Sequence, residues 1–142
     1  MQVDAILKTK GTTVHTVPGN ATVSDAVAML NRFNIGTVVV ADSHGAVAGI
    51  ISERDVVRLL GRDPVGALKR PVSECMTTNV ITCSRATTVA VLMEQMTRFR
   101  IRHIPIVEEG MLLGIVSIGD VVKWKIQETE QEAMALREYI AT

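Results

Sequence analysis

Aromatic residues are scarce: one Trp, one Tyr and two Phe make up 3% of the 142 residues, while hydrophobic residues reach 47%. Any core must therefore be packed from Val, Ile, Leu, Met and Ala. Net charge is absent, with fifteen basic residues against fifteen acidic ones. That excludes an overall field able to hold nucleic acid or an anionic membrane and leaves only local patches. Long apolar runs are missing too. No window approaches the roughly 20 apolar residues of a bilayer span, and the N-terminus lacks a basic-then-apolar signal pattern. The expected compartment is the cytoplasm. Cysteine is limited to Cys75 and Cys83, and the histidines are scattered at His15, His44 and His103. No metal-ligand spacing results, and both cysteines are expected as reduced packing residues, Cys83 buried on a strand. No Ser-His-Asp arrangement and no Walker phosphate loop can be read either, so catalysis is not expected.

What the chain does have is a repeat. Gly49-Ile50-Ile51-Ser52-Glu53-Arg54-Asp55-Val56-Val57 returns 65 positions later as Gly114-Ile115-Val116-Ser117-Ile118-Gly119-Asp120-Val121-Val122. Upstream of the glycine the offset is 66, and Val23, Ala26, Val27, Leu30 and Phe33 fall on Val89, Leu92, Met93, Met96 and Phe99. That spacing is one face of an amphipathic helix, started by Thr22 or Thr88 as the cap. Val38-Val39-Val40 meets Ile104-Pro105-Ile106, a buried strand followed by a turn, and Val14 to Val17 meets Val80 to Cys83. Each unit thus reads strand, helix, strand, strand, helix. Two such units imply a pseudo-twofold sandwich in which each copy covers the apolar face of the other.

These residues resemble the CBS-domain family, and the duplication resembles its tandem pair, the Bateman module, of the stand-alone bacterial type. The resemblance is carried by Arg102-His103-Ile104-Pro105-Ile106-Val107 and Gly114 to Asp120 in the second copy, and by Ile35 to Val40 and Gly49 to Asp55 in the first. It implies an α+β fold (α/β in the broad sense) of two β-α-β-β-α repeats plus a C-terminal helix. The expected divisions are 1–60 for the first repeat with its lead-in, 61–71 for a linker, 72–126 for the second repeat and 127–142 for a tail.

Ser52-x-x-Asp55 and Ser117-x-x-Asp120 have two readings. The pattern is a helix cap, yet each aspartate also stands in a first helical turn directly after a strand, where free N–H groups and the helix dipole favour an anion. In the family that aspartate binds the ribose of an adenosine ligand, and the Ser-x-x-Asp of one repeat faces the strands of the other. The resemblance therefore implies two clefts. Cleft A joins Ser52, Arg54 and Asp55 to Thr82, Thr87 and Ile101, with Arg102, His103, Ile104 and Pro105 completing it. Cleft B joins Ser117, Gly119 and Asp120 to Thr16, Ala21 and Ile35, with Gly36, Thr37 and Val38. Arg54 and Arg102 suit phosphate oxygens, and cleft B has glycine at both matching places.

The expected function is a regulatory module that binds an adenine-containing ligand, from the family's AMP, ADP, ATP, NAD(H) and S-adenosylmethionine, and signals by a change of shape or association. A homodimer is expected, with no nucleic acid or membrane partner. The alternative is a ligand-independent scaffold. From Asp120 to Ile140 there is no Gly or Pro, and Val122, Ile126, Thr129, Ala133, Leu136 and Ile140 form a weak heptad seam. That long helix either packs on its own module or pairs between chains.

Overall fold

The computed structural model describes residues 1–141. Helix α1 (Val3–Lys10) leads into β1 (Thr16–Pro18), α2 (Val23–Phe33), β2 (Thr37–Ala41), β3 (Val47–Ser52) and α3 (Glu53–Arg62). Two 3-10 turns, Ala67–Lys69 and Val72–Glu74, cross to α4 (Val89–Phe99), β4 (His103–Glu108), β5 (Met111–Ser117) and α5 (Ile118–Ala141). The helices begin where the capping pattern puts them: Thr22 and Ser52 each form a reciprocal capping box with Asp25 and Asp55, and Thr88 accepts the Val91 N–H. α2 and α4 end alike, on left-handed Asn34 (φ 51°) and Arg100 (φ 53°).

The repeats differ at their first strand. β1 pairs in parallel with β2, which pairs antiparallel with β3, whereas β4 and β5 form a two-stranded sheet. The strand expected over Val80 to Cys83 shrinks to a single parallel bridge, Cys83 to Ile106, the counterpart of Val17 to Val40. Pro105 is the cause. In the first copy Val39 donates its N–H to His15 O at 3.3 Å; proline at the matching place has no N–H to give, so the ladder opens beside Ile81.

The second difference concerns the core. The repeats do not share one apolar interior; each has its own, closed by the segment that precedes the other copy. Val3, Ile6 and Leu7 of α1 are buried among Cys83, Leu92, Met96, Ile104, Ile106 and Val116. Ala67 and Val72, which precede the second copy, lie among Val23, Leu30, Val38, Val40 and Ile51. The lead-in expected with the first repeat thus packs on the second. Backbone bonds mirror the exchange: Val3 N–H to Thr87 O and Val72 N–H to Ala21 O, both 2.8 Å. Each buried Val, Leu or Ile contributes about 1.5–3 kcal/mol, enough to hold a short lead-in that is only marginally helical alone. Burial pushes the Cys83 thiol up to about 11, in line with a packing residue.

α5 leaves the module. Val121 is buried and Trp124 packs against the second core, but from Thr129 to Ala141 every described residue is exposed. The seam residues Ile126, Leu136 and Ile140 are 54%, 60% and 74% exposed. Of the two placements open in the sequence, packing along its own module is not the one adopted. Among the described residues no helix is long and apolar enough to cross a membrane.

Candidate functional site

The first Ser-x-x-Asp opens onto a cleft of about 360 Å³ between the repeats, within the usual size range of small-molecule pockets. Ser52 and Asp55 are set by the turn from β3 into α3. Ser52 N–H and Oγ–H both donate to Asp55 Oδ2, at 2.9 and 3.0 Å, and Asp55 N–H returns a bond to Ser52 Oγ at 3.2 Å. The capping reading is therefore realised. It uses one carboxylate oxygen only, and among the described residues Asp55 meets no cation.

The opposite wall comes from the second copy. Val80 and Ile81, left unpaired by Pro105, form it together with Ile101, and Ile50 of the first copy adds to the apolar lining. Arg54, Arg58, Arg100 and Arg102 stand around the mouth with Glu53 as the other acid. All four arginines are exposed, and none makes an ion pair among the described residues. Arg100 holds a left-handed backbone where the first copy has Asn34, a conformation that costs a residue without a short polar side chain about 1 kcal/mol.

His103 closes the floor. It shares a 2.9 Å hydrogen bond with Thr37 across the repeats. Burial, then the charge of Lys10, lowers its proton affinity below the ordinary histidine value; Arg102 adds to this, and Asp120 and Glu53 oppose it. Its ring lies against Gly36, where an added Cβ would come within 3.5 Å of Cε1.

The expected residues are distributed unevenly. Ser52, Arg54, Asp55, Ile101, Arg102 and His103 line this cleft, joined by Gly36 and Thr37, which were expected opposite Asp120. Thr82, Thr87, Ile104 and Pro105 are not in the lining. Ile104 and Pro105 are buried in the sheet, Thr87 caps Ser84 N–H at 3.0 Å, and Thr82 faces solvent. Of the second set, Val38 is buried in the first core with Ile35 and Ala21 packed around it, while Thr16 and Gly119 are exposed. Ser117 and Asp120 repeat the cap, Ser117 N–H to Asp120 Oδ2 at 2.9 Å, but Lys10 Nζ also donates to that oxygen at 2.6 Å.

Sequence reasoning missed Ile50, Glu53, Arg58, Thr77, Asn79, Val80, Ile81 and Arg100 among the lining residues. Arg58 was findable, because it follows Arg54 by one helical turn on the same face. Thr77 and Asn79 were not, since only the crossing of the linker brings them there: Thr77 exchanges N–H and C=O bonds with Ile50 at 2.8 and 3.0 Å.

The CBS domain model matches twice, over residues 9–62 and 72–126. A mitochondrial CBS domain-containing protein, CBSX3 of Arabidopsis thaliana, is 38% identical over 123 residues, covering 84% of this chain, which spans 60% of that protein's length. A crystal structure of a CBS-domain containing protein from Agrobacterium tumefaciens superposes with a TM-score of 0.83 at 43% identity, covering 86% of this chain and 91% of that one. The CBS domain pair of protein MJ0100, solved in complex with 5′-methylthioadenosine and S-adenosyl-L-methionine, gives a TM-score of 0.80 at 26% identity, covering 90% and 98%. Two matched repeats, the shared fold and the doubled Ser-x-x-Asp lead to one conclusion: the chain belongs to the CBS-domain family, as a tandem pair.

Proposed function

We propose that this CBS pair is a regulatory module that binds a phosphate-bearing adenine nucleotide in the cleft at Asp55 and signals through a change in shape or association. One observation carries the reading: a carboxylate that meets no cation, an apolar wall and four arginines without an ion pair, among the described residues, meet in one cleft. The carboxylate suits vicinal ribose hydroxyls, the flat aliphatic wall suits adenine, and the guanidinium groups suit phosphate oxygens. Four arginines against Glu53 and Asp55 leave the cleft with positive charge. That favours AMP, ADP, ATP or NAD(H) over S-adenosylmethionine, whose sulfonium adds a further cation. We further propose a cytoplasmic homodimer in which the bound ligand alters how the pair presents itself to a regulated protein.

The test is titration calorimetry with AMP, ATP, NADH and S-adenosylmethionine. AMP has about 23 non-hydrogen atoms, and about 0.3 kcal/mol for each gives a dissociation constant on the order of 10 μM. Absence of binding by all four below millimolar would favour a ligand-independent scaffold instead.

A further inference from the structure

The two Ser-x-x-Asp turns are not equivalent, and the difference lies in α1. Lys10 Nζ donates to Asp120 Oδ2 at 2.6 Å and to Ile115 O at 2.8 Å. Ile115 is the counterpart of Ile50, whose carbonyl accepts the Thr77 N–H, also at 2.8 Å. In the first copy a backbone N–H from the incoming segment satisfies this edge carbonyl. In the second a lysine ammonium does, and its remaining donors reach the aspartate.

The sequence accounts for this exchange. The segment before the first copy carries extra residues relative to its counterpart and forms a helix through Lys10, where the segment before the second copy makes only the turn Val72–Glu74. The added turn delivers the ammonium to Asp120. The pair is well covered, with side chains 32% and 23% exposed. Burial disfavours the Asp120 charge, yet the Lys10 and Ser117 bonds outweigh it and hold the carboxyl below its ordinary value. The surrounding charge differs as well. Where the first turn is faced by Arg54, Arg58, Arg100 and Arg102, the matching positions here are Gly119, Lys123, Asn34 and Gly36, one cation in place of four.

We infer that Lys10 occupies the ligand position of the second turn, so that the pair has one open adenosine-type site, at Asp55, and one closed by its own side chain, at Asp120. Lys10 is then the residue that sets the number of ligands bound. With Lys10 removed, the turn at Asp120 has one cation, Lys123, in place of the four arginines of the other and takes an uncharged adenosine-type ligand. The inference rests on the reading of Ser-x-x-Asp as a ribose site proposed above, and its test separates the two.

The full chain is titrated with AMP and with 5′-methylthioadenosine as wild type, Lys10→Met, Lys10→Met/Asp55→Asn and Lys10→Met/Asp120→Asn. Methionine keeps the apolar stem and helix propensity of lysine, and a thermal melt checks folding; Lys10→Gln replaces it if the melt is lost. The wild type is expected to bind one ligand per chain and Lys10→Met a second. The second is retained with Asp55→Asn and lost with Asp120→Asn. A wild type that binds two, or a Lys10→Met that binds no more than wild type, overturns the inference. A wild type that binds none beside a Lys10→Met/Asp55→Asn that binds one overturns only the reading of the cleft at Asp55.

Discussion

Thr37 and His103 are counterparts under the 66-residue offset, and they hydrogen-bond to each other at 2.9 Å. Two positions related by a twofold operation touch only where they lie beside the axis, so this bond marks the pseudo-axis of the pair. On either side of it the two repeats make matching bonds: Gly36 O accepts the Glu53 N–H at 3.0 Å in the first, and Arg102 O accepts the Ile118 N–H at 2.8 Å in the second. Away from the first strand, the lead-in segments and the extended α5, symmetry is kept in the backbone. It is broken in the side chains that decide charge, and the chemistry follows the side chains.

Asp55→Asn separates ligand contact from capping. Asparagine at this position keeps an oxygen able to accept the Ser52 N–H from the third position of the helix and gives up only the first-turn charge, about 0.3–1 kcal/mol, so the melting temperature is expected to fall only slightly. Nucleotide affinity is expected to fall by about 1.5–3 kcal/mol, the range for a hydrogen bond to a charged group. Calorimetry and a melt on the same sample check both; a large fall in melting temperature with unchanged affinity would make the aspartate structural.

Pro105→Val tests the opened ladder. Valine restores the N–H that Val39 uses toward His15, and the expected result is a bond to Ile81 O that draws Val80 and Ile81 toward β4. Stability is expected to rise by about 0.5–1.5 kcal/mol from the added bond, while nucleotide binding weakens as the wall withdraws. Amide exchange at residue 105 reads the new bond directly.

Protonation of His103 is expected to weaken the fold. Burial, Lys10 and Arg102 hold its proton affinity down against Asp120 and Glu53, so below about pH 6.5 the unfolded chain binds more protons than the folded one. Stability is therefore full above that value and declines as pH falls toward the folded-state value. Melts of wild type and His103→Gln across this window check it, and the variant is expected to show the flatter profile.

Glycine is required where the exchanged segments cross. A Cβ on Gly49 would collide with Met76 and come within 2.9 Å of Thr77 O, whereas one on Gly114 would meet the end of the Leu7 side chain at 2.6 Å. Backbone yields less readily than a flexible side chain. Gly49→Ala is expected to cost about 1–3 kcal/mol and Gly114→Ala less, measured by denaturant unfolding.

Truncation after Val122 tests the proposed homodimer and where its chains would associate. Val91, Met93 and Phe99 of α4 are 43%, 39% and 45% exposed, apolar side chains that lie on the module and not on α5. The seam of α5 has Thr129 and Ala133 at its centre, weak residues for a coiled coil. The truncated protein is expected to remain dimeric by light scattering; a clean monomer would assign association to α5.

The sequence by itself determined the repeat, the capped helices and the buried strands, because each depends on local spacing: the same period that places Val23, Ala26 and Leu30 on one helix face buries them. It also determined the Ser-x-x-Asp turns and the charge contrast between them. The difference between Val39 and Pro105 at matching positions was legible, but its consequence was not, since a missing N–H matters only once its partner carbonyl is known. The partner of Lys10 was wholly beyond the sequence. Asp120 lies 110 residues away, and the two meet because α1 closes the core of the second repeat, not the first. Local patterns decide which residues can form an element, whereas tertiary packing decides which charges of distant elements neutralise one another; it left one aspartate paired with lysine and the other open to a cleft.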